Sequence, residues 1–342
     1  MLPRPEPSAG VNAYQAERDI CLAKDPRRAE NYRRFERREW PYLPVKLDIE
    51  NVSRCNFACT MCAVSKWDKG KRANDMSLEC FKRLIDEQYG LFEIKLNGIG
   101  EPLMQGDDYF EMIKYARSKR IWVRMTTNAS LLHLRNNAQK LVDSDVNEID
   151  ISIDGADAPT FEGIRIQGDF NKVTENCKLL NGLTHKTKMW TLVQKGNRHK
   201  LGDHVRLAKE LGFKNLVFSL QLHGWGDEDL EKRNKGREVK LTHDYLMSLV
   251  QLGKNNGVKV AFWDVSEKFE SKPGKLCPWP FSRAVVTSDL RTVPCCMIGD
   301  PDKFELGKGM TFMKAWNSDE YQDFRAAHLS GQIPSVCKGC YK

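Results

Sequence analysis

Between Lys46 and Gln221, short apolar runs alternate with longer amphipathic stretches, and no other feature of the sequence restricts the fold as much. The strand candidates are Lys46–Asn51, Glu93–Asn97, Trp122–Thr126, Glu148–Ile153, Met189–Val193 and Asn215–Gln221. Helices are predicted between them at 77–89, 107–118, 130–143, 171–183 and 201–211, with Ser77 and Asp107 where N-caps belong. A strand joined to the next through a helix is a βαβ unit, and successive units build a parallel sheet. Six strands with five crossovers predict an α/β fold, an incomplete barrel and not a closed eightfold one.

The pattern changes after Gln221. Residues 224–240, rich in glycine and charge, read as a loop, followed by a helix near 242–254 and a strand near 258–263. Ser271 to Lys275, with Pro273 and Gly274, reads as a linker. From Cys277 onward the spacing is irregular and cysteine-rich, with a hairpin expected from Val285–Thr287 and Thr292–Val293. So thin an apolar core calls for a metal staple. The expected division is an N-terminal arm at 1–45, a barrel at 46–225, a connecting segment at 226–275 and a small C-terminal domain at 276–342.

With 342 residues, 41% of them hydrophobic, the chain can bury one large core. No apolar run reaches the roughly 18 residues of a membrane span, and Met1 to Asp19 has no apolar signal core. The expectation is a soluble cytoplasmic protein without membrane or nucleic-acid partners. The net charge of +8 is scattered, apart from Arg27, Arg28, Arg33, Arg34, Arg37 and Arg38. These read as a solvated helix face, the alternative being attraction of an anionic substrate.

The eleven cysteines carry the functional signal. Cys21, Cys80 and Cys177 fall in helical runs and are expected in the core. Cys55, Cys59 and Cys62 follow the first strand directly, with three and then two residues between them. Three thiolates in one loop can hold three irons of a cubane cluster and leave the fourth open to a chelating ligand. The bland reading is a zinc loop lacking a ligand, though zinc sites use paired Cys-x-x-Cys units.

This Cys-x-x-x-Cys-x-x-Cys loop resembles the signature of the radical S-adenosylmethionine (SAM) superfamily. The resemblance implies a partial (β/α)6 TIM-like barrel with a [4Fe–4S] cluster at its C-terminal mouth. It also implies reductive cleavage of SAM to a 5′-deoxyadenosyl radical and a flavodoxin- or ferredoxin-type reductant. Further positions resemble family motifs. Met61 stands where the adenine is packed. Gly98-Ile99-Gly100-Glu101-Pro102 resembles the Gly-Gly-Glu motif that receives the SAM amino group, with Ile99 in place of its first glycine. Asn128, Ser152 and Asp154 end the third and fourth strands, where relatives contact ribose or carboxylate. Arg165 resembles the arginine that pairs with the SAM carboxylate, a task suited to guanidinium.

Cys277, Cys295, Cys296, Cys337 and Cys340 form a second group. Their layout resembles the SPASM, or twitch, domain, which implies one auxiliary [4Fe–4S] cluster on Cys277, Cys295, Cys337 and Cys340. Cys296 is the alternative to Cys295, and a structural zinc the alternative to the cluster. A fully ligated cluster suits electron transfer, so the leading expectation is dehydrogenation of an alcohol in a small substrate: a sugar, an aminocyclitol or a nucleoside. Radical epimerisation comes second, with Cys296 as hydrogen donor. Rearrangement, decarboxylation, sulfur insertion and SPASM-type peptide maturation are further readings, and an iron–sulfur electron carrier is the non-enzyme one. Gln221, His223 and Trp225 after the sixth strand, with Trp263, Asp264 and Arg283, are the candidate substrate contacts.

Overall fold

The structure, a computed structural model, describes residues 1–67, 74–264 and 276–341; the expected linker at Ser271–Lys275 lies outside them. Among the described residues the strands are β1 Lys46–Ile49, β2 Glu93–Leu96, β3 Trp122–Thr127, β4 Glu148–Ser152, β5 Thr187–Leu192, β6 Asn215–Ser219, β7 Lys259–Trp263, β8 Arg283–Val286 and β9 Thr292–Val293. They form one sheet in the order β7-β6-β5-β4-β3-β2-β1-β8-β9. β1 to β7 pair in parallel, each with the next. The expected strands are all present, and the one near 258–263 extends the same sheet as β7.

The helices are α1 Val11–Ala23, α2 Pro26–Arg37, α3 Leu78–Glu87, α4 Asp107–Ser118, α5 Asn137–Asp143, α6 Ala158–Ile164, α7 Phe170–Leu183, α8 Leu201–Glu210, α9 Glu228–Lys235 and α10 His243–Asn256, followed in the tail by Trp279–Ser282, Phe312–Asn317 and Asp319–Leu329. Ser77 caps α3 as expected, accepting from the Cys80 N–H at 3.1 Å. Asp107 does not cap α4; the cap position is Gly106, at φ 83°, and Asp107 is the first helical residue. The helix expected at 130–143 begins only at Asn137, after a turn.

Side chains alternate across each strand. Leu47, Ile49, Ile94, Leu96, Val123, Met125, Ile149 and Ile151 are fully buried and join Phe81, Ile85 and Ile113 of the surrounding helices in the main core. Each such side chain stabilises the fold by about 1.5–3 kcal/mol. The opposite parity fills the lumen with charge. Glu93 pairs with Lys46 at 2.6 Å and Arg124 at 3.7 Å. Arg124 also reaches Glu148 and Asp150, Lys188 pairs with both, and Arg283 pairs with Asp48. Each of these carboxylates therefore has a cation, as burial of both demands.

The N-terminal arm is more ordered than an arm. α1 and α2 pack Cys21 against Val45 and Phe92, and residues 3–8 cross from the start of β5 to the edge of β7. There Phe262 N–H donates to the Pro3 carbonyl at 2.8 Å. Arg28 departs from the expected solvated face: it is buried and donates to the Tyr89, Cys21 and Lys119 carbonyls. Arg33 and Arg34 stay exposed and pair with Glu30. Cys21 and Cys177 are buried as expected, whereas Cys80 is only half-buried. Among the described residues no helix is long and apolar enough to cross a membrane.

The tail docks on the barrel's first strand. β8 runs parallel to β1, and β9 closes the expected hairpin with Val285 opposite Val293. Trp316 donates to the Tyr42 carbonyl at 2.9 Å, and Arg325 lies over the Trp40, Trp316 and Tyr321 rings at 4.0–4.2 Å.

Candidate active site

The cysteine loop leaves β1 at the C-terminal end of the sheet and is held mostly by its backbone. Ala58 and Thr60 donate to the Ile166 and Ile164 carbonyls at 2.9 and 3.0 Å. Glu101 N–H donates to the Arg54 carbonyl at 2.9 Å. A Cβ on Gly100 would lie 2.4 Å from that same oxygen, so only glycine lets the two loops meet. Asn128 donates to Asn56 at 3.0 Å, and Asn56 to Ser130 at 2.8 Å.

Two holders escaped the sequence reading. Asn234 donates to the Met61 carbonyl at 3.0 Å, and Arg237 to the Thr60 carbonyl at 2.9 Å. Asn234 belongs to α9, inside the stretch expected to be a loop. The signal was present: Asp227 caps α9, acids fill its first turn and bases its last, the pattern that complements a helix dipole.

With the backbone fixed, Cys55 lies within electrostatic reach of Cys59 and Cys62. Burial pushes Cys55 up to about 12 and Cys62 up to about 11, and the neighbouring thiols add to both. Cys59 is raised by burial and drawn back by Arg165, whose guanidinium stands 3.9 Å from its sulfur. Such thiols ionise only beside a cation, and a cationic iron cluster supplies one. Among the described residues no three His, Cys, Asp or Glu side chains form a site for a single metal ion. A cubane asks for less convergence, since each thiolate takes a different iron. The donor set fits that group.

The remaining motif residues gather around the loop. Glu101 is buried; it accepts from Thr127 Oγ1 at 2.6 Å, Asn128 N–H at 2.8 Å and Leu103 N–H at 3.3 Å, and burial raises its carboxyl to about 7. Asp154, fully buried, accepts from Leu192 N–H at 2.7 Å and pairs with Arg165 at 2.8 Å. Asp154 thus fixes Arg165 against the cysteine loop. Ser152 is half-buried at the end of β4, and Met61 is buried in the core.

In the tail, Cys277, Cys295 and Cys296 pack with Trp279, Val285, Val293 and Ile298. Cys337 and Cys340 lie on the 3₁₀ turn Ser335–Cys340, and Tyr341 accepts from the Cys277 N–H at 2.8 Å. Burial pushes the Cys295 thiol well above its ordinary value, and Cys296, Cys337 and Cys277 act the same way. Burial likewise raises Cys337 to about 12, with Cys277 and Cys340 adding to it. Cys296 adjoins Cys295 and also acts on Arg283. Thiols from three separate segments thus lie within electrostatic reach of one another, which suits a cluster.

The candidate substrate contacts are spread more widely. Gln221 donates to Asp264 at 2.9 Å across the ends of β6 and β7, and Trp263 ends β7 with its ring 6.1 Å from that of Trp190. His223, held neutral by burial, meets Trp225 edge-on at 6.2 Å. Trp225 takes φ 56° and abuts Gly299 of the tail. Arg283 stacks on Trp279 at 4.5 Å and is paired to Asp48, so it braces the lumen wall.

Comparison with known proteins agrees with this arrangement. The family model of the radical SAM superfamily matches residues 51–208, and that of an iron–sulfur cluster-binding domain, SPASM, matches residues 277–341. The chain is 29% identical over 187 residues to the mycofactocin maturase MftC of Mycolicibacterium smegmatis, covering 54% of this chain and 46% of that protein. It is 31% identical over 192 residues to the AdoMet-dependent heme synthase of Methanosarcina barkeri, covering 55% and 54%. It thus spans about half the length of these curated relatives. Among solved structures it is similar to Streptococcus suis SuiB bound to the precursor peptide SuiA, with TM-score 0.64, 13% identity and coverage of 87% and 70%. The two matched domains bring SAM, a [4Fe–4S] cluster in the barrel and auxiliary iron–sulfur binding in the tail. The chain belongs to the radical SAM superfamily and carries a C-terminal SPASM domain.

Proposed function

We propose that this chain cleaves SAM at the barrel mouth and oxidises an organic substrate held in the lumen beneath it. The observation that carries this reading is the loop after β1, held by both neighbouring loops, that brings Cys55, Cys59 and Cys62 to the C-terminal end of the sheet, with burial raising each thiol. Cys55, Cys59 and Cys62 would hold the [4Fe–4S] cluster, one ligand short of its four irons. When bound, cluster and SAM supply a 5′-deoxyadenosyl radical that takes a hydrogen atom from the substrate. Arg165, steadied by Asp154, is placed for the SAM carboxylate, and Glu101 keeps an acceptor position for its ammonium. Asn128, Ser152 and Met61 complete that side of the pocket.

Cys277, Cys295, Cys337 and Cys340 would hold one auxiliary [4Fe–4S] cluster. The coupling of Cys295 to both Cys277 and Cys337 supports its place in that set, with Cys296 as the alternative. Loss of a hydrogen atom, then of one proton and one electron, is a two-electron oxidation, and a fully ligated cluster is suited to accept the electron. A flavodoxin- or ferredoxin-type protein would supply the initiating electron. The same reading keeps the division at 1–45, 46–225, 226–275 and 276–342.

Mycofactocin maturases among the curated relatives favour a peptide as the substrate oxidised. Dehydrogenation of an alcohol in a small molecule is the second reading, favoured by the charged lumen. Anaerobically reconstituted protein, reduced by dithionite and given SAM, is expected to release 5′-deoxyadenosine. Absence of that product from cluster-loaded protein would sink the reading. Deuterium transfer from labelled peptides or polyols into 5′-deoxyadenosine separates the two substrates.

A further inference from the structure

Four carboxylates and four cations of the lumen close on one another, leaving Glu50 and Lys95 outside those pairs. Asp48, Glu93, Glu148 and Asp150 are matched by Lys46, Arg124, Lys188 and Arg283. Glu50, one step higher, accepts from the Ile99 and Ser288 N–H groups at 3.4 and 3.1 Å. Lys95, on the lumen face of β2, stands in register between Asp48 and Arg124, both committed elsewhere. It is half-buried, and among the described residues its ammonium has no carboxylate partner. A cation in such a place is costly unless an anion meets it.

A second orphan lies beside it. Asn97, two residues on and of the same parity, donates its Nδ2 to the Gly98 carbonyl at 3.1 Å, while its buried Oδ1 has no donor among the described residues. Two residues of strand place these groups about 6.6 Å apart along the chain. Asn97 immediately precedes the Gly98–Glu101 loop that packs on the cysteine loop. The pair therefore sits one layer beneath the reaction centre.

We propose that Lys95 and Asn97 form a substrate subsite. The Lys95 ammonium takes a carboxylate or phosphate group, and the Asn97 amide oxygen takes a hydroxyl, ammonium or amide N–H on the same molecule. This rests on the reading of the barrel mouth as the reaction site. It makes the substrate an anion, whether a peptide carboxylate, an acidic metabolite or a phosphorylated one.

The test uses the cluster-loaded full chain, with inorganic phosphate and acetate as separate probes, their dissociation constants read by calorimetry. At least one probe is expected to bind wild type, to bind Lys95→Gln at least about tenfold more weakly, and to regain affinity in Lys95→Arg. Phosphate alone assigns a phosphorylated substrate, and acetate alone a carboxylate. Unchanged thermal melts and cluster absorbance establish that the variants are folded. Equal binding by wild type and Lys95→Gln, or no binding of either probe to wild type, would overturn the subsite. Wild-type protein that binds a probe but releases no 5′-deoxyadenosine would overturn the radical reading alone.

Discussion

At the N-terminal end of the lumen every carboxylate of the Glu93, Glu148 and Asp150 group meets a cation, and residues 3–8 lie across the strands. At the C-terminal end burial raises all three thiols and the Glu101 carboxyl, and among the described residues Lys95 has no carboxylate partner and the Asn97 Oδ1 no donor. The same strands build both ends. The difference shows where interactions are closed among the protein's own groups and where they stay open for something else. A barrel keeps its stability at one end and its chemistry at the other.

The sharpest way to break this contrast is at the mouth. Cys62→Ala should abolish 5′-deoxyadenosine formation, reducing it to the background of cluster-free protein, while the barrel still folds; a variant keeping more than a tenth of wild-type turnover would contradict the assignment. At the closed end, Lys188→Met should leave Glu148 and Asp150 short of a buried cation. A cost of about 3–5 kcal/mol in unfolding free energy is expected from denaturant titration. A cost under about 1 kcal/mol would show that this end is not the structural one.

A smaller effect is expected where α9 holds the loop. Asn234→Ala leaves the Met61 and His223 carbonyls without their donor, which should cost about 1–3 kcal/mol. Iron content per chain should fall with it, and full iron loading at wild-type stability would remove α9 from the site.

The pH dependence of SAM binding sharpens the comparison further. Burial raises the Glu101 carboxyl to about 7, so the fold favours its protonated form. Its contribution to stability is complete below the ordinary value of 4.5 and is lost as pH rises through about 7. The proposed contact of Glu101 with the SAM ammonium needs the ionised form. Affinity should therefore weaken by up to about tenfold per pH unit below 7, and Glu101→Gln should flatten that slope. A wild-type profile flat from about pH 8 to 6 would remove Glu101 from SAM binding.

Much of this was legible in the residues. The cysteine spacing, the strand ends carrying Glu101, Asn128 and Asp154, and the tail hairpin all depend on local pattern. α9 was missed because its charged surface outweighed its few apolar positions, although Asp227 and the ordered acids and bases marked it. Arg28 looked like its exposed neighbours, since burial of one arginine among several has no local signature. Lys95 was invisible for the same reason: a lysine in a strand reads as a surface residue until the register shows which neighbours are already paired.

By itself the sequence determined the parallel α/β barrel, the triad of cysteines after its first strand and the second cysteine group, because helix and strand periods and ligand spacing are properties of neighbours along the chain. Only the tertiary structure decided that the tail hairpin extends the barrel sheet at β1, that Asp154 steadies Arg165, and that Lys95 is left over in the lumen. Those outcomes depend on which distant residues meet and on whether each buried charge finds a partner, and neither is set by local pattern.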